Sequence, residues 1–148
     1  MIRVVTAIIE RPDRRLLIGQ RQRHDTSPLK WEFPGGKIED GETPEEALTR
    51  ELLEELSVTL DKCVEMGRTR HKYASALEEL EIRFYAVSIK ETEPTPNVFE
   101  QIVWVLPKEL GNYNFLAANS GLVAQLATGR IKPAEILEAS AKNKQIKK

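Results

Sequence analysis

Hydrophobic residues recur along this chain with two periods, which predict alternating strands and helices. Short apolar and β-branched runs predict strands at 4–10, 15–20, 63–70, 80–90 and 102–106. A helix is predicted over 44–56 and a second over 117–128, where Gly129 closes it. The intervening segments are predicted loops at 24–28 and 93–97 and a helical turn at 107–110. The pattern indicates an α/β protein without internal repeats.

The helix at 44–56 has strong local start signals. Thr43 suits the N-cap position, Pro44 suits the first helical position, and Glu46 follows Thr43 at the spacing of a capping box. Apolar residues at helical spacing form one stripe, which consists of Ala47, Leu48, Leu52 and Leu56. We expect this stripe to pack on the core and the charged residues to face away from it.

Three carboxylates share the opposite face of this helix. Glu51, Glu54 and Glu55 are three and four residues apart, which brings their side chains within roughly 5 to 6 Å of one another. Their repulsion favours a cation or a proton, and hard oxygen ligands prefer Mg²⁺, with Mn²⁺ as an alternative. A solvated helix rich in glutamate is the other interpretation of this segment taken alone.

The flanks of the helix resemble the signature of the Nudix hydrolases. The matching positions are Gly36, Glu42, Arg50, Glu51, Leu52, Glu54, Glu55 and Val58. Ser57 stands where the family has a glycine, at a helix end that often takes a left-handed turn. A serine there is expected to strain the turn by about 1 kcal/mol without removing a carboxylate.

The segments at 31–37 and 41–44 are similar to the MutT-type branch of the family, and this resemblance implies a fold and a reaction. The fold would be a mixed sheet between helices. The reaction would be hydrolysis of a nucleoside triphosphate to a monophosphate and pyrophosphate, with Mg²⁺ as the cofactor. Glu51, Glu54 and Arg50 would be catalytic, with Glu51 binding metal or taking a proton. The metal ligands implied are Gly35 through its carbonyl, Glu51, Glu54, Glu55 and, from a later loop, Glu100.

The resemblance also implies residues that bind the nucleotide. Arg21 follows the second strand, where MutT-like proteins place an arginine near the substrate, although it could equally be a solvated strand-end residue. Phe33 and Lys37 adjoin the glycine turn and are further candidates. The segment 115–119 resembles the Phe-Pro-Pro-Ala-Asn stretch of enzymes that hydrolyse oxidised guanine nucleotides. In that interpretation the Asn119 amide pairs with the purine edge, whereas the alternative makes Asn119 the N-cap of the following helix.

Three functions remain open on the sequence alone. The first is a pyrophosphohydrolase that removes 8-oxo-dGTP from the nucleotide pool, in support of DNA repair. The second has the same chemistry on CTP or 5-methyl-dCTP, because residues 1–10 resemble that subgroup more closely. The third is a non-catalytic Nudix domain that binds a nucleotide, which the retained carboxylates argue against.

Composition narrows the partners and the compartment. The chain has 148 residues and a net charge of −1, which suits one domain and provides no broad basic field for duplex nucleic acid. Cys63 is the single cysteine, which fits a reducing compartment. No signal peptide or membrane-spanning run is recognisable, so we expect a cytoplasmic protein. We also expect a monomer or weak dimer. The expected Nudix domain covers 1–131, followed by a helical or frayed extension at 132–148.

Overall fold

The computed structural model describes residues 1–74 and 77–146, which form two sheets and three α-helices. The strands are β1 (Ile2–Ile9), β2 (Leu16–Gln20), β3 (Trp31–Glu32), β4 (Gly35–Lys37), β5 (Leu60–His71), β6 (Leu80–Ile89) and β7 (Gln101–Val105). The helices are α1 (Pro44–Leu56), α2 (Ser120–Ala127) and α3 (Pro133–Ile146). Single 3₁₀ segments cover Pro107–Asn112 and Ala117–Asn119. The alternation of strands and helices predicted from the sequence is confirmed.

Strand β1 lies at the centre of the larger sheet, whose order is β4-β1-β6-β5. It pairs in parallel with β6, from Ile2 opposite Leu80 onwards, and antiparallel with β4. The smaller sheet has the order β3-β2-β7. In the β1–β4 ladder, Thr6 stands opposite Gly35, so the glycine segment is held against an inner strand of the larger sheet.

The larger sheet is covered on both faces. Val5, Ala7 and Ile9 of β1 belong to the apolar cluster beneath α1, whereas Ile8 belongs to the cluster beneath α2. Alternate side chains of a strand point to opposite faces, so β1 divides the core into these two layers. The predicted arrangement of a sheet between helices is therefore present.

Helix α1 has the termini and the buried stripe that the sequence predicts. The Thr43 hydroxyl accepts a hydrogen bond from Glu46 N, and the Glu46 carboxylate accepts one from Thr43 N, which completes the capping box. The buried residues are those of the predicted stripe, namely Ala47, Leu48, Leu52 and Leu56. At the other end, Ser57 takes the left-handed conformation with φ 55°. Ser57 thus adopts the left-handed turn that a glycine would favour.

The structure corrects two parts of the predicted secondary structure. Strands β3 and β4 were not expected, because strands of two and three residues with two glycines carry no readable period. The expected helix over 117–128 is divided into a 3₁₀ turn at Ala117–Asn119 and α2 from Ser120. The Leu116 amide donates to the carbonyl of Trp31, which ties the start of this segment to β3 and separates it from the α-helix.

The C-terminal segment forms helix α3, which packs against β5 and β6. Its first turn is attached to the end of β1, since the Ala134 amide donates to Glu10 Oε1 at 3.2 Å. The last two residues of the predicted extension lie outside the described part. Among the described residues, no helix has the length and apolar character required to cross a bilayer.

We expect Leu52→Ala to destabilise the fold by about 2 to 5 kcal/mol, because it opens a cavity beneath α1. Leu52 is fully buried there, whereas its neighbour Leu53 is 60% exposed on the same helix. Leu53→Ala is the matched control and should change the free energy of unfolding by less than about 0.5 kcal/mol. Urea denaturation of both variants measures the difference. Equal losses would contradict the packing of α1 described above.

Candidate active site

Helix α1 and strand β4 meet through the carboxylates of the helix. Glu55 Oε1 accepts a hydrogen bond from Gly35 N at 2.9 Å. A Cβ atom added at Gly36 would overlap the carboxylate of Glu51, and one added at Gly35 would overlap the carbonyl of Val5. The two glycines therefore provide the space in which β4 approaches both β1 and the acidic face of α1.

Arg50 is the common partner of the surrounding glutamates. Its Nε and Nη2 atoms donate to the two carboxylate oxygens of Glu42 at 2.7 and 2.9 Å, a bidentate pair. Its Nη1 donates to Glu51 at 2.9 Å and to Glu54 at 3.4 Å. Nη2 also donates to the carbonyl of Lys37 at 3.0 Å. The guanidinium thus connects the loop before α1, the helix itself and β4.

The carboxylates of this cluster differ in their affinity for protons. Burial raises the pKa of Glu55 to about 8. Repulsion from Glu51 raises this pKa further, whereas the hydrogen bond from Gly35 lowers it. Burial also raises the pKa of Glu51, although Arg50 opposes the shift. The hydrogen bonds from Arg50 lower the pKa of Glu42 to about 2. Glu42 is therefore a fixed anion, whereas the raised pKa values of Glu51 and Glu55 mean that a negative charge on either is incompletely compensated.

These residues provide a donor set that fits a divalent cation. Across residues 1–74 and 77–146, no three carboxylate, histidine or cysteine side chains stand in an arrangement that could hold an ion. Glu55 instead accepts a hydrogen bond from Gly35 N, and Glu51 accepts one from Arg50. The Glu54 side chain is 59% exposed, so it stands at the rim of the carboxylate cluster. Hard carboxylate oxygens with incompletely compensated charge are ligands that suit Mg²⁺ or Mn²⁺.

A cavity of about 520 Å³ lies on the other side of these carboxylates. Strand β1, the glycine segment and the 3₁₀ turn before α2 form its walls. Among its lining residues are the four predicted for nucleotide binding, which are Arg21, Phe33, Lys37 and Asn119. Phe33 is 4% exposed and packs on Phe115 at a ring distance of 5.3 Å. The structure thus brings these four residues to one cavity that Glu55 also lines.

Asn119 lines this cavity and has an unpaired acceptor. The residue is 6% exposed, and its Oδ1 atom has no hydrogen-bond partner among the described residues. Asn119 occupies the N-cap position of α2, but its side chain makes no capping bond. A buried amide oxygen without a partner costs about 1 to 3 kcal/mol. Asn119 thus stands at the cap position without the side-chain bond that a cap makes, and its amide oxygen lacks a partner.

Arg21 has protein partners as well as a place in the cavity wall. Its Nε donates to the carbonyl of Thr26 at 2.7 Å, and its Nη1 forms an ion pair with Glu32 at 3.2 Å. Burial raises the pKa of Glu32, and the charge of Arg21 opposes this. Sequence reasoning did not single out Glu32 as a site residue. The available signal was a carboxylate between two large aromatic residues, Trp31 and Phe33, both of which are buried.

Glu100 was predicted as a further metal ligand, and the structure pairs it with Arg23. Arg23 Nε donates to Glu100 Oε1 at 3.3 Å. An acidic cleft is lined by Glu32, Glu51, Glu54 and Glu55 together with Val98 and Phe99, and Glu100 is not among its lining residues. The loop thus reaches the cleft through the two residues that precede Glu100.

Comparison with known proteins assigns the family. The profile of the NUDIX domain matches residues 1–126. The chain belongs to the Nudix family. It is similar to the CTP pyrophosphohydrolase of Escherichia coli K12, with 33% identity over 138 residues that cover 91% of this chain and 98% of that protein. The 8-oxo-dGTP diphosphatase of the same organism is 30% identical over 125 residues, which cover 84% and 95% of the two chains.

A solved structure supports the same assignment. A MutT structure from a study of the Aliivibrio salmonicida and Vibrio cholerae proteins superposes with a TM-score of 0.70 and 31% identity, covering 86% of this chain and 98% of that one. The predicted Nudix fold is confirmed. The protein is a MutT-like Nudix hydrolase that acts on phosphoanhydride bonds, in a family that generally uses a divalent metal ion.

Because Glu55 has a high pKa, its replacement by a neutral residue should stabilise the fold by an amount that depends on pH. An unfolded glutamate titrates near pH 4.3, whereas Glu55 in the folded protein titrates near 8. Its contribution to stability is therefore complete below the unfolded value and is lost as the pH rises through 8. In chelator-treated protein, Glu55→Gln should exceed wild type by about 1 to 3 kcal/mol at pH 8.5 and by less at pH 5.

The measurement is the free energy of unfolding in urea at both pH values. Glu78→Gln is the control, because Glu78 is exposed and lies outside the cluster. We expect the control to follow wild type at both pH values. A Glu55→Gln variant that is less stable than wild type at pH 8.5 would contradict the uncompensated charge of Glu55.

Proposed function

We propose that this Nudix hydrolase converts a nucleoside triphosphate and water to a nucleoside monophosphate and pyrophosphate with Mg²⁺ as cofactor. The uncompensated carboxylates around Arg50, which adjoin a cavity of nucleotide dimensions, carry this proposal. When bound, a divalent ion neutralises the charge of the phosphates and makes water a better nucleophile. Water attacks phosphorus, a phosphoanhydride bond breaks, and pyrophosphate leaves.

Each residue of the cluster has a role in this proposal. Glu54, Glu55 and Glu51 are the carboxylate ligands, with the Gly35 carbonyl completing the set. Glu51 has a raised pKa and a bond to Arg50, so it also suits a proton acceptor from water. Arg50 fixes the direction of Glu51 and Glu54. Lys37 lies at the cavity wall, where its ammonium group can approach the phosphates.

We propose 8-oxo-dGTP as the preferred substrate because of the Asn119 amide. Its unpaired Oδ1 requires a donor, and its Nδ2 offers donors to an acceptor. The edge of an oxidised guanine presents both kinds of group side by side. Phe33 and Ile82 line the same cavity and provide apolar surface for a purine ring.

CTP or 5-methyl-dCTP is the second candidate. The CTP pyrophosphohydrolase of Escherichia coli is similar to this chain over 91% of its length, more than the 84% covered by the diphosphatase from the same organism. Cytosine also presents an amino donor beside an acceptor, so the Asn119 amide could pair with it. The two candidates share the same phosphate chemistry and differ only in the base that the cavity accepts.

Specificity constants for pyrophosphate release distinguish these substrates. With Mg²⁺, we expect a preference for 8-oxo-dGTP over dGTP, CTP and 5-methyl-dCTP. Asn119→Ala should reduce the ratio of specificity constants for 8-oxo-dGTP and dGTP by about five- to thirtyfold, because one edge contact is lost. Ser120→Ala, one position further along, is the matched control and should keep the ratio. A preference for the cytosine nucleotides would select the second candidate, and an unchanged ratio in Asn119→Ala would refute the role of the amide.

Glu55→Gln should lose most metal-dependent turnover, by about a hundredfold or more in kcat. The fold should persist, since Gln keeps an acceptor for Gly35 N and removes a charge. Initial rates at several Mg²⁺ concentrations, with circular dichroism of the same samples, provide the measurement. Glu78→Gln serves again as the control. Wild-type turnover in Glu55→Gln would overturn the assignment of Glu55 to the metal.

A further inference from the structure

The C-terminal turn of α1 is built differently from the family signature. Ser57 stands at the glycine position and adopts φ 55° and ψ 39°, a left-handed conformation that disfavours residues with a Cβ atom. Its amide nevertheless closes the helix by donating to Leu53 O at 3.0 Å. A further contact from outside the helix can offset the cost of this conformation.

Asn97 makes that contact. Its Nδ2 atom lies 2.8 Å from Ser57 Oγ and 3.0 Å from the carbonyl oxygen of Glu54. An amide nitrogen has two N–H donors, so these two acceptors use both of them. The backbone amide of Asn97 donates to the carbonyl of Glu55 at 3.0 Å, and that of Thr95 donates to the carbonyl of Leu56 at 2.8 Å.

The carbonyls bound in this way belong to the residues that carry the acidic cluster. The last carbonyls of a helix have no partner within it and need one from elsewhere. Here the loop at 93–97 supplies these partners for Glu54, Glu55 and Leu56 in one segment. The same loop continues into Val98 and Phe99, which line the acidic cleft. The carbonyls of Glu54 and Glu55 are thus hydrogen-bonded by the segment that leads into the cleft lining.

We infer that Asn97 is a positioning residue of the active site, which holds Ser57 in the left-handed turn and thereby fixes the positions of Glu54 and Glu55. The Ser57 hydroxyl, which glycine lacks, is part of this contact. Ser57 and Asn97 therefore act as a pair that replaces the glycine of the signature. This inference rests on the proposed function, because it assigns Glu54 and Glu55 to the metal ion.

The bond from Asn97 to the Ser57 hydroxyl makes the effect of residue 97 depend on the identity of residue 57. The pair makes a specific prediction, because glycine adopts the left-handed turn without help. Asn97→Ala should be more damaging when residue 57 is serine than when it is glycine, because with glycine only the bond to the Glu54 carbonyl is lost. A double-mutant cycle of Asn97→Ala and Ser57→Gly measures this coupling.

The first readout is hydrogen exchange of the Ser57 and Val58 amides in metal-free protein. Asn97→Ala should lower their protection roughly five- to thirtyfold, the change expected for one or two lost hydrogen bonds. The second is the affinity for Mn²⁺, measured from the electron paramagnetic resonance of the free ion. It should fall about tenfold together with kcat, while KM for the nucleotide changes less. Ser57→Gly in the same chain should restore part of each loss, because it removes the strain of the turn but not the loss of the bond to the Glu54 carbonyl. Asn112→Ala, an exposed asparagine at the end of the 3₁₀ turn Pro107–Asn112, is the control.

The outcomes separate the inference from the proposed function. Lower protection and Mn²⁺ affinity in Asn97→Ala, restored in part by Ser57→Gly, would support the positioning role. If wild type binds Mn²⁺ and turns over substrate while Asn97→Ala matches it, only the positioning role is overturned. Equal losses with serine or glycine at position 57 would also overturn it. If wild type neither binds Mn²⁺ nor hydrolyses a nucleotide, the proposed function fails and Asn97 is reduced to a helix cap.

Discussion

The distribution of negative charge around one guanidinium is the constraint on which the site depends. Arg50 lies within ion-pair distance of Glu39, Glu42, Glu51 and Glu54, so one positive charge faces four negative ones. The bidentate pair with Glu42 is the shortest of these contacts and fixes the guanidinium from the loop before α1. The charges of the other three, Glu39, Glu51 and Glu54, are compensated only in part by the same guanidinium. An acidic excess of this kind destabilises the free protein and favours cations, so affinity for metal and cost in stability have the same origin.

The acidic cleft, which is proposed to hold the metal ion, and the larger cavity, which is proposed to hold the base, adjoin each other. Arg21, Glu32 and Glu55 line both the acidic cleft and the larger cavity. Asn119 lies in that cavity, while Glu51 and Glu54 line only the cleft. A nucleotide with its base near Asn119 could therefore direct its phosphates toward Glu55 and the glycine segment. The ion pair between Arg21 and Glu32 stands where these regions meet, and it couples the loop at Thr26 to the carboxylates.

Local signals in the sequence were enough to predict α1, because its cap, its first residue and its apolar stripe all lie within 43–56. The carboxylate cluster could be predicted for the same reason, since helical spacing alone brings Glu51, Glu54 and Glu55 together. What depends on distant parts of the chain could not be predicted in this way. Glu32 becomes a site residue only because β3 places it beside Arg21 and Glu55. Asn97 approaches Ser57 across 40 positions of sequence, and Glu100 meets Arg23 across 77, so neither pairing has a local signature.

The parallel pairing of β1 with β6 has a consequence for how the chain reaches this fold. The parallel ladder of Ile2–Ile9 requires Leu80–Ile89, so this inner strand depends on contacts that are distant in sequence. Such contacts require closure of a large loop and slow the folding of a domain. On the ribosome, the apolar N-terminal strand emerges early and stays unpaired on that side until β6 has been synthesised. During this interval its exposed edge is a substrate for chaperones and a point of vulnerability to aggregation.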